Sequence, residues 1–114
     1  MIQCRVRHSW NLEPKQAVAL QNSLAGELVL RPMSRAVGAI AGIDISVKGD
    51  RAHAAVVVLS YPSLEEIERR TAIAKVTYPY IPGLLTFREA PVALQALAEL
   101  STWPDLFMFD GQGY

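Results

Sequence analysis

Residues 37–47 read VGAIAGIDISV, and this stretch decides the fold of the chain. Side chains on an extended strand point alternately to its two faces, so the odd-numbered residues of this stretch, all of them apolar, share one face. Gly42 and Asp44 fall on the other face. The pattern predicts a strand with one apolar face and one face that carries a carboxylate.

The segments after this strand predict a meander. Gly49 and Asp50 supply turn chemistry, and residues 52–61 read AHAAVVVLSY, which is typical of the returning strand of a hairpin. A third strand is expected at residues 67–76, where the alternation is weaker and the charge is higher. We therefore expect three antiparallel strands, the last of them at an edge of the sheet.

Two helices and a fourth strand are expected around the meander. Residues 12–30 predict a helix, because apolar residues recur at spacings of three and four and Pro14 suits the first turn. A second helix is expected to begin near Glu89, since Pro91 fits a first turn. Residues 105–110 (DLFMFD) predict a short buried strand. The predicted α/β order is helix, three-stranded antiparallel meander, helix, strand.

Length and composition limit what the chain can be. Its 114 residues suit one domain, residues 1–114. Eleven basic and eleven acidic residues balance, so composition gives no case for broad electrostatic binding of nucleic acid and leaves only local contacts. Cys4 is the only cysteine, which excludes an intramolecular disulfide and fits a reducing compartment. Because the sequence has no apolar run of membrane-spanning length and no signal-peptide core, we expect a cytoplasmic protein without membrane contact.

Three acidic residues stand at unusual places: Asp44 within an apolar strand, Glu89 at a helix entrance, and Asp110 at the end of an apolar strand. Each has a simple structural explanation. Asp44 could be a buried acid held by backbone donors, and Glu89 could favour the N-terminus of its helix electrostatically. Asp110 could open an ordinary turn, since Gly-Gln-Gly follows it.

The three acids taken together support another interpretation. A central strand and the neighbouring strand that follows a crossover helix can bring Asp44 and Asp110 side by side, with Glu89 facing them. Two carboxylates about 4 Å apart repel by about 4 kcal/mol at an effective dielectric constant of ~20, so such a cluster needs a cation or a proton. Oxygen ligands of this kind suit Mg²⁺ or Mn²⁺. A pair of such ions can activate water and stabilise the leaving oxygen of a phosphodiester.

The loop at residues 78–83 reads YPYIPG. Two prolines stiffen it, and Tyr80 and Ile81 stand at its tip. A rigid apolar wedge of this kind could enter a base stack and hold a nucleotide out of it. The alternative is that Tyr80 and Ile81 pack against the domain's own core, and the residues of the loop by themselves favour that alternative.

Four motifs together resemble the endonuclease V family, whose members cut nucleic acid beside deaminated adenine. They are GIDIS at 42–46, PYIPGLL at 79–85, FREAP at 87–91 and DGQG at 110–113. Their order and spacing match the family over most of the chain. A four-part match of this kind is highly specific.

The resemblance implies a ribonuclease H-like mixed sheet, and coordination of Mg²⁺ or Mn²⁺ by Asp44, Glu89 and Asp110. It also implies a strand-separating wedge and a pocket for a flipped hypoxanthine base. The wedge residues are Pro79, Tyr80, Ile81 and Pro82, and the pocket residues are Gly83, Gly111, Gln112 and Gly113. The implied reaction is hydrolysis of the second phosphodiester on the 3′ side of deoxyinosine in DNA, which leaves a 3′-hydroxyl and a 5′-phosphate. Some members prefer inosine in RNA.

The resemblance further implies that the chain is the N-terminal part of such a nuclease domain, truncated after the fourth strand. In the family, DGQG is followed by a His-Pro-Arg run, a phosphate-contacting lysine and a further metal-ligating residue, so we expect impaired activity. The strand at 105–110 would then be an apolar sheet edge, and we expect a homodimer through it or through the open sheet face. The alternative function is a non-catalytic nucleic-acid-binding or assembly module that dimerises in the same way.

Overall fold

The computed structural model describes Arg5 and residues 7–110. Two helices and four strands follow one another in the predicted order: α1 (Pro14–Ala25), β1 (Ala39–Lys48), β2 (Arg51–Ser60), β3 (Glu66–Lys75), α2 (Leu85–Ala98) and β4 (Leu106–Phe109). The predicted α/β class is confirmed. Within this described part of the chain, no helix is long and apolar enough to cross a membrane.

The four strands form one mixed sheet in the order β3-β2-β1-β4. β1 pairs with β2 and β2 pairs with β3 in antiparallel register, whereas β1 pairs with β4 in parallel. Two parallel neighbours need a crossover connection, and α2 lies in the connection that leads to β4. The meander that ends at a sheet edge is confirmed, and so is the last strand beside the first.

The core lies between α2 and one face of the sheet, the face formed by the odd-numbered residues of β1. Ala41 and Ile43 are buried there. The other buried members of this cluster come from β2, from α2 and from the segment just after α2: Ala52, Ala54, Val56, Val58, Val92, Ala93, Ala96, Leu97 and Leu100. The opposite face of β1, which carries Gly42, Asp44 and Ser46, is exposed. The predicted division of β1 into an apolar and a polar face is therefore confirmed.

The first helix is shorter than residues 12–30. α1 ends at Ala25, and Gly26 follows as its C-cap. Glycine stops a helix readily because it loses the most conformational freedom there. Leu28 would have extended the apolar face, but it lies beyond the helix and is exposed. Spacing alone overestimated this helix because the last apolar residues of the stretch, Leu28 to Leu30, are exposed and gain little by continuing it.

The second helix begins four residues before Glu89, at Leu85, so Pro91 stands inside it rather than in its first turn. A proline in a helix interior costs roughly 3 kcal/mol relative to alanine. Burying a Val or Leu side chain contributes about 1.5–3 kcal/mol, and α2 buries both Val92 and Leu97. Burial of the apolar face therefore outweighs the proline, and the predicted start was wrong.

Two carboxylates tie the ends of the α2–β4 connection to the sheet. Glu68 of β3 is buried and accepts hydrogen bonds from the backbone N–H groups of Ser101 and Thr102 (2.9 and 2.8 Å). Those backbone bonds lower its pKa, and the Arg70 charge adds to the effect. Asp105 accepts in the same way from the N–H groups at 38–39 that lead into β1. These bonds fix where β4 starts relative to β1.

Candidate active site

The parallel pairing of β1 and β4 brings two of the predicted metal ligands to matching positions. The paired residues end with Ile43 opposite Phe109. Asp44 follows directly after the first and Asp110 directly after the second. Asp44 lies midway along β1 and Asp110 directly follows β4, so the two aspartates stand side by side across neighbouring strands, as the crossover argument predicted.

Asp44 is exposed, so it is not the buried acid that a position within an apolar strand suggested. The reason is the pleat: the covered face of β1 is the odd-numbered one, and Asp44 belongs to the other face. Its Oδ1 atom accepts a hydrogen bond from the adjacent N–H of Ile45 at 3.0 Å. This local bond leaves most of the carboxylate free to accept from, or bind, a ligand on the open face of the sheet.

Glu89 of α2 is half-buried and lies near the end of β4. Together with Phe109 and Asp110 it lines an open groove of about 550 Å³. Burial raises the pKa of Glu89 above the ordinary glutamate value, the Arg88 charge opposes the rise, and the Asp110 and Asp44 carboxylates add to it. Both aspartates act on the pKa of one glutamate, so the three acids share one electrostatic environment.

The three acids do not form a ready-made ligand set. Among Arg5 and residues 7–110, no group of three or more His, Cys, Asp or Glu side chains is close enough to hold one metal ion. Carboxylate oxygens are nevertheless the ligands that Mg²⁺ and Mn²⁺ prefer. The donor chemistry fits a divalent cation, and the assignment of Asp44, Glu89 and Asp110 as its ligands stays a prediction.

The loop at 78–83 turns one of its tip residues outward and the other inward. Tyr80 is 67% exposed. Ile81 is half-buried and packs against a second apolar cluster, formed by Ala17, Tyr78, Leu84 and Phe87. The expectation that both residues would pack into the core is therefore wrong for Tyr80 and right for Ile81. Pro79 and Pro82 are exposed beside them.

The shape of this loop follows from its sequence. The N–H of Leu84 donates to the carbonyl of Ile81 at 3.0 Å, which closes a four-residue turn. Proline at the second position and a residue with positive φ at the third are the signature of a type II turn, and Gly83 has φ of 84°. The Gly83 carbonyl also accepts from Gln21 Nε2 at 2.9 Å. The turn thus fixes the backbone of the loop, and Gln21 joins it to α1.

One residue of the predicted base pocket, Gly83, is among the described residues. Gly83 lies in the turn just described, whereas Gly111, Gln112 and Gly113 lie outside the described residues. Their assignment to a hypoxanthine pocket stays a prediction.

Sequence reasoning missed the contact that Arg88 makes with the loop. Its guanidinium carbon lies 5.8 Å from the centre of the Tyr80 ring. Its Nε atom is buried and has no hydrogen-bond partner within residues 7–110 and Arg5. The basic residue of the FREAP motif was the available signal, since a guanidinium can lie over an aromatic ring.

An aromatic cluster supports both α2 and the loop. The Phe87 ring lies 5.6 Å from Tyr78 and 5.7 Å from Trp10, measured between ring centres. His8 packs edge-on against Trp10 at 4.5 Å. Phe87 stands two positions before Glu89, so this packing fixes the helix turn that carries the acid.

Comparison with known proteins settles the family. The sequence model described as Endonuclease V matches residues 22–114. The chain belongs to the endonuclease V family. Among curated relatives, endonuclease V of Gloeobacter violaceus is 49% identical over 111 residues, which cover 94% of this chain and 45% of the relative.

Solved structures of the family are similar as well. Endonuclease V of Streptomyces avermitilis superimposes with a TM-score of 0.81 at 36% identity, over 90% of this chain and 46% of that one. Ciona intestinalis endonuclease V, in complex with a 24mer DNA containing an inosine followed by a ribo-adenosine, gives 0.67 at 29% identity, over 85% and 47%. The ribonuclease H-like fold is confirmed, and the chain spans about half the length of the family members it matches.

Proposed function

We propose that the chain carries the metal-binding and strand-separating part of an endonuclease that acts on nucleic acid containing deaminated adenine. The reaction is hydrolysis of the second phosphodiester on the 3′ side of deoxyinosine in DNA, or of inosine in RNA. The observation that carries the proposal is the placement of Asp44 and Asp110 next to the same pair of residues in two parallel strands. Glu89 lines one groove with Asp110, and the charges of both aspartates act on it. The inosine-containing DNA bound to the Ciona relative supports the choice of substrate.

The carboxylates of Asp44, Glu89 and Asp110 would hold Mg²⁺ or Mn²⁺. When bound, such ions activate water and stabilise the leaving oxygen of a phosphodiester. The protein would bring negative charge together around the end of β4 and leave it accessible. Exposed Asp44 would supply an oxygen ligand from the open face of β1, exposed Asp110 one from the end of β4, and half-buried Glu89 one from the helix.

The loop at 78–83 would separate the strands. An exposed aromatic ring on a proline-stiffened turn can stack on a base, which contributes about 1–3 kcal/mol, comparable with the few kcal/mol that unstacking costs. Tyr80 has the exposure that this role needs. Gly83, with residues 111–113, would border the pocket for the flipped base.

The test is a labelled duplex with one deoxyinosine, incubated with the full chain and Mn²⁺. We expect a nick at the second phosphodiester 3′ to deoxyinosine, lost in Asp44→Ala and retained in Asp50→Ala. Asp50 is the matched control, because it is an exposed aspartate in the β1–β2 turn, away from the groove. Equal nicking by wild type and Asp44→Ala would indicate a contaminating nuclease and contradict the proposal.

A second candidate is a nucleic-acid-binding or assembly module without catalysis. One observation favours it: the described residues contain no ready-made metal-ligand group. On this view residues 1–114 are a partial nuclease domain that binds nucleic acid without cutting it. The same duplex separates the two functions, since a module binds deoxyinosine DNA without nicking it. Absence of both binding and nicking contradicts both functions.

We also propose that two copies pair through β4. This strand is a sheet edge, and Met108 and Phe109 are exposed on it. Sedimentation at micromolar concentration should give a dimer, and Met108→Lys should shift it to monomer, whereas Ile73→Lys on the other edge strand should not. A wild-type monomer refutes the pairing.

The single cysteine fits a reducing compartment such as the cytoplasm.

A further inference from the structure

Arg88 is the residue of α2 that contacts the exposed ring of the loop. Its guanidinium carbon lies 5.8 Å from the centre of the Tyr80 ring, within the range of a cation–π interaction. Tyr80 is 67% exposed, so few other side chains can hold the ring in one orientation. The loop backbone is fixed by the turn at Gly83, but that turn does not fix the tyrosine side chain.

Arg88 is itself held between the helix and the sheet. It is half-buried, unlike most arginines of the chain, and its Nε atom is buried. Arg88, Phe87 and Pro91 line a small pocket of about 30 Å³.

We propose that Arg88 is a positioning residue that orients the Tyr80 ring before nucleic acid arrives. This proposal rests on the proposed wedge function of the loop. The charge of Arg88 lies over the face of the ring, where the ring quadrupole is negative. The guanidinium is anchored at its buried Nε atom, so the ring is held by the helix that also carries Glu89. The separated strand and the acidic groove would then have a fixed spacing.

The first test uses the free protein and needs no nucleic acid. Tyrosine rings are labelled with ¹³C, and the Tyr80 ring resonances are compared in wild type, Arg88→Met, Arg88→Lys and Arg69→Met. Arg69 is the matched control, since it is an exposed arginine of β3 paired with Glu66. We expect Arg88→Met to move the Tyr80 ring towards unstructured shifts and faster motion. Arg88→Lys should restore part of the ordered state, and Arg69→Met should change nothing.

A variant of the other partner, Tyr80, shows whether a change in the first test comes from a folding defect. In Tyr80→Leu the Arg88 side-chain Nε–H resonance should move, because a ring current and a π face have been removed, while backbone resonances of β1–β3 stay in place. If Tyr80 ring shifts are the same in wild type and Arg88→Met, or if the Arg88 resonance ignores Tyr80→Leu, the proposal is wrong.

The second test separates this proposal from the proposed function. A duplex carries 2-aminopurine beside one deoxyinosine, and its fluorescence rises when the base is unstacked. Arg88→Met should raise the protein concentration needed for half of that rise roughly 2–5-fold, because this is the effect of losing an exposed cation–π interaction. Tyr80→Ala should abolish the rise. The positioning function alone is refuted if Tyr80→Ala abolishes the fluorescence rise while Arg88→Met changes neither the Tyr80 ring resonances nor the fluorescence. No fluorescence rise in wild type, with Arg88 still ordering the ring, refutes the wedge alone.

Discussion

Replacing Gly42 by alanine tests whether the face that carries Asp44 is open. Gly42 lies within β1, opposite Val57 of β2 and Met108 of β4. A Cβ atom built on Gly42 meets no atom within 4 Å, and its φ is not in the left-handed region. An alanine therefore fits without strain and lowers the entropy of the unfolded chain. The expected effect is a stabilisation of about 0.4–1 kcal/mol.

The assay is urea denaturation followed by circular dichroism. With an m-value of roughly 2 kcal/mol/M, a gain of this size raises the unfolding midpoint by about 0.2–0.5 M. Gly49→Ala is the matched control, because Gly49 has φ of 62° in the hairpin turn. An L-residue in that conformation costs roughly 1–2 kcal/mol, so the control should move the midpoint the other way.

The same variant tests what the open face is for. The added methyl group stands beside Asp44 on the exposed face, so nicking of deoxyinosine DNA should fall although the fold becomes more stable. The reasoning is refuted if Gly42→Ala lowers the midpoint, since that would mean the face is already covered. Unchanged nicking in a stabilised variant would show that the open space beside Asp44 is not needed for cleavage.

Two further predictions concern what holds α2 and β4 in place. Leu100→Ala removes a fully buried core side chain and should lower the free energy of unfolding by about 2–5 kcal/mol, whereas exposed Leu30→Ala should stay within about 0.5 kcal/mol. Glu68→Gln should lower the urea midpoint at neutral pH, and exposed Glu65→Gln should not. Because the folded pKa of Glu68 lies below its ordinary 4.5, its advantage over glutamine is present above that pH and lost as pH falls through the lowered pKa. If Glu68→Gln lowers the urea midpoint by the same amount at low pH, the charge of the Glu68 carboxylate is not what stabilises the fold.

Strand β1 and the hairpin could be predicted because alternation and turn chemistry are local signals. Residues 37–47 carry the period of a half-buried strand, and Gly49 supplies the positive φ of the turn. The start of α2 could not be predicted, because Pro91 gives a correct local signal that tertiary burial overrides. The end of α1 was missed because nothing in the spacing says which apolar residues find a partner.

The candidate site was predictable in part for the same reasons. The matching positions of Asp44 and Asp110 follow from strand order, which a crossover helix indicates in the sequence. The pairing of Arg88 with Tyr80 depends on how a loop folds back over a helix, and no periodicity encodes it. Glu68 was missed because a charged residue in a polar strand ordinarily faces solvent.

The central claim is that Asp44, Glu89 and Asp110 together bind a divalent ion, and Mn²⁺ titration followed by NMR tests it directly. Paramagnetic broadening should appear first at residues next to these three acids, and Asp44→Asn, Glu89→Gln and Asp110→Asn should each weaken Mn²⁺ affinity by roughly tenfold or more, about 1.4 kcal/mol. Broadening centred on other carboxylates, or an affinity that ignores all three substitutions, would contradict the claim.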